Sequence, residues 1–133
     1  MCVFNYCGYG ESSGRPTPYR LKKCGNAVLN HIVEERNVRK IIVHGESIGG
    51  MVASHLAAHS TYKHFIKLLI CDKSFGSLDA VAARMLGSWA SIGLRYVGQW
   101  FTNVALDYLS VSCPKIILQV QYVSSCIICD DKE

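Results

Sequence analysis

No run of about 18 apolar residues occurs anywhere in this 133-residue chain, so none of its helices is expected to span a bilayer. The start, Met1-Cys2-Val3-Phe4-Asn5-Tyr6, lacks both a basic region and a long apolar region, which excludes a secretory signal peptide. Acidic residues are the scarcer sign, 10 against 14 basic, for a net charge of +4. The basic residues are scattered (Arg20-Lys22-Lys23, Arg36-Arg39-Lys40, Lys63-Lys67); they read as solvated faces, and no nucleic-acid partner is implied. Internal repeats, linkers and low-complexity segments are missing as well. Cys126-Ile127-Ile128-Cys129 has no second Cys/His pair to complete a zinc site, so both cysteines read as strand residues. The seven cysteines are odd in number and mostly lie in apolar runs. They read as reduced core residues of an intracellular chain, cytoplasmic or membrane-associated. Gly8-Tyr9-Gly10 lacks a following helix and a Lys-Ser/Thr pair, so it is a turn and not a phosphate cradle. No metal and no cofactor is implied. The length allows one domain, 1–133, which can bury about two-thirds of its unfolded surface.

What is present is chemically specific. Lys40–His44 reads as a short apolar strand of the kind buried in parallel sheets. Gly45-Glu46-Ser47-Ile48-Gly49-Gly50 follows at once, and the small-residue stretch from Ile48 to His59 reads as a helix. This is G-x-S-x-G between a strand and a helix, the setting of a nucleophile elbow. A sharp turn there lifts the Ser47 hydroxyl clear of the backbone, and Gly45 and Gly49 let neighbouring backbone pass where a Cβ would collide. Ser47 is expected to have positive φ and an exposed Oγ.

The remaining elements alternate strand with helix. Val3–Tyr6 reads as a strand end, and 7–16 as a glycine-rich loop. Thr17-Pro18 offers an N-cap and a first-turn proline for a helix over Pro18–Arg36, with Leu21, Cys24, Val28 and Ile32 at helical spacing. Asn37 ends it. Phe65–Cys71 is the next strand, closed by Asp72. Ser77 caps a helix over Leu78–Leu86. The stretch 87–101 is either broken helix or loop, and its Trp89 and Trp100 suit either core or a cap over a site. Pro114 precedes a strand from Lys115 to about Tyr122. The class is α/β with a mostly parallel sheet and flanking helices.

The loop Asn5-Tyr6-Cys7-Gly8-Tyr9-Gly10-Glu11-Ser12-Ser13-Gly14-Arg15-Pro16 resembles the N-Y-R-G-Y-G-x-S-x-G-x-P loop after the fourth strand of the α/β-hydrolase superfamily. Gly45–Gly50 resembles that superfamily's elbow. Asp72–Leu78 is similar to the segment after its sixth strand, and Cys113-Pro114-Lys115-Ile116-Ile117 to the start of its seventh. The resemblance covers 3–119; 120–133 is a divergent tail. It is closest to the branch that includes protein depalmitoylases and related esterases. The implied fold is an incomplete α/β-hydrolase fold that begins at the fourth strand, without the third strand and the oxyanion loop that the third strand feeds. The family histidine lies beyond the last strand, whereas all five histidines here (31, 44, 55, 59, 64) precede residue 65. The family acid follows the seventh strand, where this chain reads Val120-Gln121-Tyr122-Val123-Ser124. Without the third strand, Val3–Tyr6 is expected to pair directly with Lys40–His44.

The resemblance implies a serine hydrolase acting on an ester, thioester or amide through a Ser47 acyl-enzyme, its substrate a small acyl compound or an acylated protein. Ile48 supplies a backbone N–H to the oxyanion at the helix start. Asp72 is the candidate acid. His44, His55 and His59 are weaker candidates for the base, as Asp130 and Asp131 are for the acid; Glu46 has no assigned role. The alternative is a catalytically inactive hydrolase-like fragment or a partner-binding module, since a serine hydroxyl without its imidazole is a poor nucleophile.

Overall fold

A computed structural model describes residues 1–87, 89, 100 and 102–119. Thr17 opens helix α1 (Pro18–Glu34) as its N-cap, accepting a hydrogen bond from the Arg20 N–H at 3.3 Å, with Pro18 in the first turn. Thr17→Ala is expected to cost about 1 kcal/mol, the usual worth of an N-cap side chain, read as a shift of the urea midpoint. The buried stripe is Pro18, Leu21, Gly25, Leu29 and Val33, turned by one residue from the expected Leu21-Cys24-Val28-Ile32 face. Gly25 explains the rotation. A Cβ on it would lie 2.5 Å from a Val52 methyl, so α1 approaches its neighbour at this glycine. The chain leaves α1 through Asn37 at φ 52°, a left-handed conformation that asparagine tolerates.

Strand β1 (Ile41–Glu46) leads into helix α2 (Ile48–His59), then a 3-10 turn at Lys63–Phe65, strand β2 (Ile66–Asp72) and helix α3 (Leu78–Leu86). Ser77 caps α3 through its hydroxyl, which accepts from the Ala80 N–H. Helix α4 (Val104–Ser110) and strand β3 (Lys115–Leu118) complete the described chain. The strands form one parallel sheet in the order β1-β2-β3, so the α/β class expected from the sequence is the observed one. Helix α2 is buried on nearly every side, with Gly50, Met51, Val52, Ala53, Ser54, Leu56, Ala57 and Ala58 all inaccessible. It packs on β1 and β2 and contacts both α1 and α4. Leu21, Val33, Met51, Val52 and Leu69 are the largest fully buried apolar side chains.

Four expectations fail. Val3–Tyr6 forms no strand and does not pair with β1. Its polar groups are engaged locally: the Tyr6 carbonyl accepts from the Tyr9 N–H at 3.0 Å, and the Asn5 carbonyl from the Ser12 hydroxyl at 3.4 Å. Secondly, β1 is not buried on both faces. Its burial alternates, leaving Ile42 63% exposed and His44 exposed; among the described residues β1 is paired on one side alone. Thirdly, α4 was not anticipated, although Asn103 caps it by accepting from the Leu106 N–H at 3.1 Å. Fourthly, the described cysteines are free, but only Cys71 is buried; Cys2 is exposed and Cys7, Cys24 and Cys113 are half-buried. Trp89 is exposed while Trp100 packs against the core. The rest of 87–101 except Gly87, and the expected strand end, Cys126, Cys129, Asp130 and Asp131, lie outside the described residues.

Candidate active site

The end of β1 is fastened to the end of β2 before the chain turns. Gly45 pairs with Cys71 and Glu46 with Asp72. Ser47 follows with φ 51° and ψ −116°, a conformation that costs a non-glycine residue about 1–3 kcal/mol. Three hydrogen bonds hold it. The Ser47 N–H donates to the Asp72 carbonyl at 2.9 Å. The Ser47 carbonyl accepts from the Gly50 N–H at 3.0 Å and from the Ser74 hydroxyl at 3.1 Å. The Ser47 side chain is exposed and makes no capping bond to α2. Among the described residues this hydroxyl makes no hydrogen bond; it stands at the first turn of a buried helix, on the carboxyl end of a parallel sheet, where the Ile48 N–H is among the amides left without an intrahelical acceptor.

The glycines divide differently from the motif. A Cβ on Gly45 would overlap the Gly49 carbonyl and the Gly50 nitrogen, and one on Gly50 would overlap the Ser74 side chain. A Cβ on Gly49 would meet only the Tyr6 hydroxyl, at 3.9 Å. Gly45 and Gly50 are the residues that permit the close passage; Gly49 is not.

Asp72 is half-buried at the strand end next to the turn, and among the described residues its carboxylate makes no hydrogen bond or ion pair. Its carbonyl, which anchors Ser47, is a role that no sequence signal announces. Glu46 is exposed and pairs with Lys73 at 3.4 Å, a residue itself at φ 46°. Beside the turn at Ser47 lies an open, mainly apolar cleft of about 860 Å³, lined by Cys71, Ser74, Phe75, Val81, Val104 and Tyr108 among others. Ser74 joins it to the turn through the bond to Ser47.

No imidazole is hydrogen-bonded to Ser47 among the described residues. His44 is exposed on β1, His31 pairs with Glu35, and His64 lies against Phe65 with the two rings tilted at 52°. His55 and His59 lie eight and twelve residues along α2, about 12 and 18 Å away at 1.5 Å per residue.

His55 and His59 join a cluster that sequence reading missed. Asp107 of α4 binds Lys22 Nζ at 3.0 Å and His59 Nε2 at 2.9 Å, and His55 Nδ1 lies 3.9 Å from it. Asn26 of α1 contacts His55 Nε2 at 3.3 Å. The spacing His-x-x-x-His on one helix face was the available signal; Asn26 of α1 is 29 residues from His55, and Asp107 of α4 is 48 residues from His59. Burial pushes the Asp107 carboxyl up, but its bonds to Lys22 and His59 outweigh this and hold it below its ordinary value. Burial, then the Lys22 charge, then His59 lower the His55 imidazole, against the opposing pull of Asp107. Both depressed groups favour the folded state in their deprotonated forms. Their contributions are present above the ordinary values, about 6.5 for histidine and 3.9 for aspartate, and are lost as pH falls. The urea midpoint is expected to decline on acidification below about pH 6.5, and His55→Gln to flatten the upper part of that decline.

A model of the family described as alpha/beta hydrolase fold matches residues 1–116. Protein bem46 of Schizosaccharomyces pombe is 36% identical over 96 residues, which cover 71% of this chain and 31% of that protein. The multifunctional-autoprocessing repeats-in-toxin of Vibrio vulnificus is 30% identical over 96 residues, covering 69% of this chain and 2% of the toxin. The crystal structure of an alpha-beta hydrolase from Vibrio vulnificus superposes with a TM-score of 0.72 at 24% identity, over 86% of this chain and 44% of that one. The chain thus spans less than half the length of each of these proteins. With the family model matching most of its length and a parallel sheet with flanking helices in place, the chain belongs to the alpha/beta hydrolase family.

Proposed function

We propose that this chain carries the nucleophile of a serine hydrolase acting on an ester, thioester or amide through a Ser47 acyl-enzyme. The observation behind this reading is Ser47 itself: a strained serine at φ 51°, with an exposed side chain that makes no capping bond at the strand-to-helix turn. Strain of this kind persists where surrounding structure over-determines it and concentrates at working sites. In the proposed reaction the Ser47 Oγ attacks the acyl carbon, its proton leaves to a base, and the Ile48 N–H stabilises the developing oxyanion. Asp72 is the proposed acid, at the neighbouring strand end. The apolar cleft beside Ser74 suits the hydrocarbon part of an acyl group. An acylated protein of an intracellular compartment is the substrate class suggested by resemblance to the depalmitoylase and esterase branch.

A second reading is that the chain by itself is a hydrolase-like module without turnover. The lack of any imidazole on Ser47 among the described residues favours it for the 133-residue chain. The two readings share a test. Deacylation needs the base as much as acylation does, so an activated p-nitrophenyl ester should leave a slow, persistent adduct of one acyl group. Intact mass spectrometry should show that single addition, and Ser47→Ala should lack it. Acylation that is spread over several residues and unchanged in Ser47→Ala would refute the assignment of Ser47.

A further inference from the structure

We propose that His55, His59 and Asp107 form a binding site for a divalent transition-metal ion, of the zinc, cobalt or nickel type, that clips α2 to α4. The two imidazoles are one helical turn apart on α2, their rings 5.3 Å centroid to centroid, and residues at this spacing share a face. Asp107 reaches them from α4. One donor atom from each of the three side chains lies within 4.8 Å of the others. Ligand bonds of about 2.0–2.2 Å in tetrahedral geometry place donors about 3.3 Å apart. Small rotamer shifts close that difference, because His59 is half-exposed and has room to turn.

Two neutral imidazoles and a carboxylate are a donor set that suits this class of metal rather than calcium or magnesium, which prefer all-oxygen shells. The short contact between His59 Nε2 and Asp107 Oδ1, 2.9 Å, marks where the ion enters: the metal takes the place of the shared proton. Asp107 uses its other oxygen, Oδ2, for Lys22 Nζ at 3.0 Å, so Oδ1 remains available. Asn26 Nδ2 donates to the Lys22 carbonyl at 3.1 Å and lies 3.3 Å from His55 Nε2; an amide nitrogen only donates, so metal binding through His55 Nδ1 requires the ring proton to move to Nε2 and this contact to open. Lys22 works against the ion by charge, which predicts an unusual result: removing this lysine strengthens binding. The site is some 12–18 Å along α2 from Ser47 and is independent of the proposed hydrolase chemistry.

The test uses the full chain and Co²⁺. One equivalent should bind and give ligand-field bands without a thiolate-to-cobalt charge-transfer band, which separates this site from any cysteine site. Bound metal should raise the thermal midpoint by mass action. His59→Ala, at a half-exposed position, should keep the fold by circular dichroism yet weaken binding by roughly 100-fold or more, since even supporting residues are worth about 10- to 100-fold. His31→Ala should leave affinity unchanged, and Lys22→Met should tighten it several-fold. Binding that is absent below millimolar Co²⁺, survives His59→Ala, or carries thiolate bands overturns the proposal.

Discussion

Gly45→Ala is expected to destabilise the chain by about 3 kcal/mol, the upper end of the usual range for overpacking a rigid site, while Gly49→Ala is expected to be neutral or stabilising. A Cβ on Gly45 points into the Gly49 carbonyl and the Gly50 nitrogen, which are backbone atoms of the first turn of α2. Backbone cannot rotate aside as a side chain does. Relief would require α2 to move off β1, and α2 is the helix that contacts the sheet, α1 and α4 together. Gly49 is different: its Cβ would make an ordinary contact with Tyr6, and alanine gains up to about 1 kcal/mol over glycine in a helix. The urea midpoints of the two variants measure the contrast. Equal midpoints would mean that the close passage at Gly45 does not exist.

Steady-state hydrolysis of p-nitrophenyl acetate by the 133-residue chain is expected to be at background, although Ser47 is in place. Loss of the histidine of a Ser-His-Asp triad costs roughly 10⁶-fold in kcat. Here no imidazole meets Ser47 among the described residues, and His55 and His59 are committed to Asp107 at the far end of α2. Turnover well above background that vanishes in Ser47→Ala would show that a base reaches the serine after all.

The parts of this molecule written in local chemistry were legible in the sequence. Ser77 as a cap, Thr17-Pro18 as a helix start, and the run from Ile48 to His59 all depend on neighbours within a few residues, and each begins at the expected residue. The turn at Ser47 was legible for the same reason: Gly45 declares the close passage on its own. What sequence reading missed depends on distant partners. Val3–Tyr6 has strand-like residues, but its carbonyls are taken by the Tyr9 amide and the Ser12 hydroxyl. The buried face of α1 is set by where Val52 meets Gly25, a contact that periodicity cannot supply. Gly50 took the crowded role assigned to Gly49 because Ser74, from beyond β2, packs over it. The Lys22-His55-His59-Asp107 cluster draws on three helices and was invisible for that reason.

The most direct test of the central claim, that Ser47 stands as a poised nucleophile on its turn, is peptide-mapped labelling by an alkyl fluorophosphonate with and without free imidazole. A phosphonyl group needs a serine oxygen and a proton acceptor, and soluble imidazole can replace a missing base where a cleft admits it. The account predicts that Ser47 is labelled ahead of every other serine, that imidazole accelerates this reaction, and that Gly45→Ala abolishes the preference. Labelling spread evenly over exposed serines such as Ser12 and Ser13, unaffected by imidazole, would contradict it.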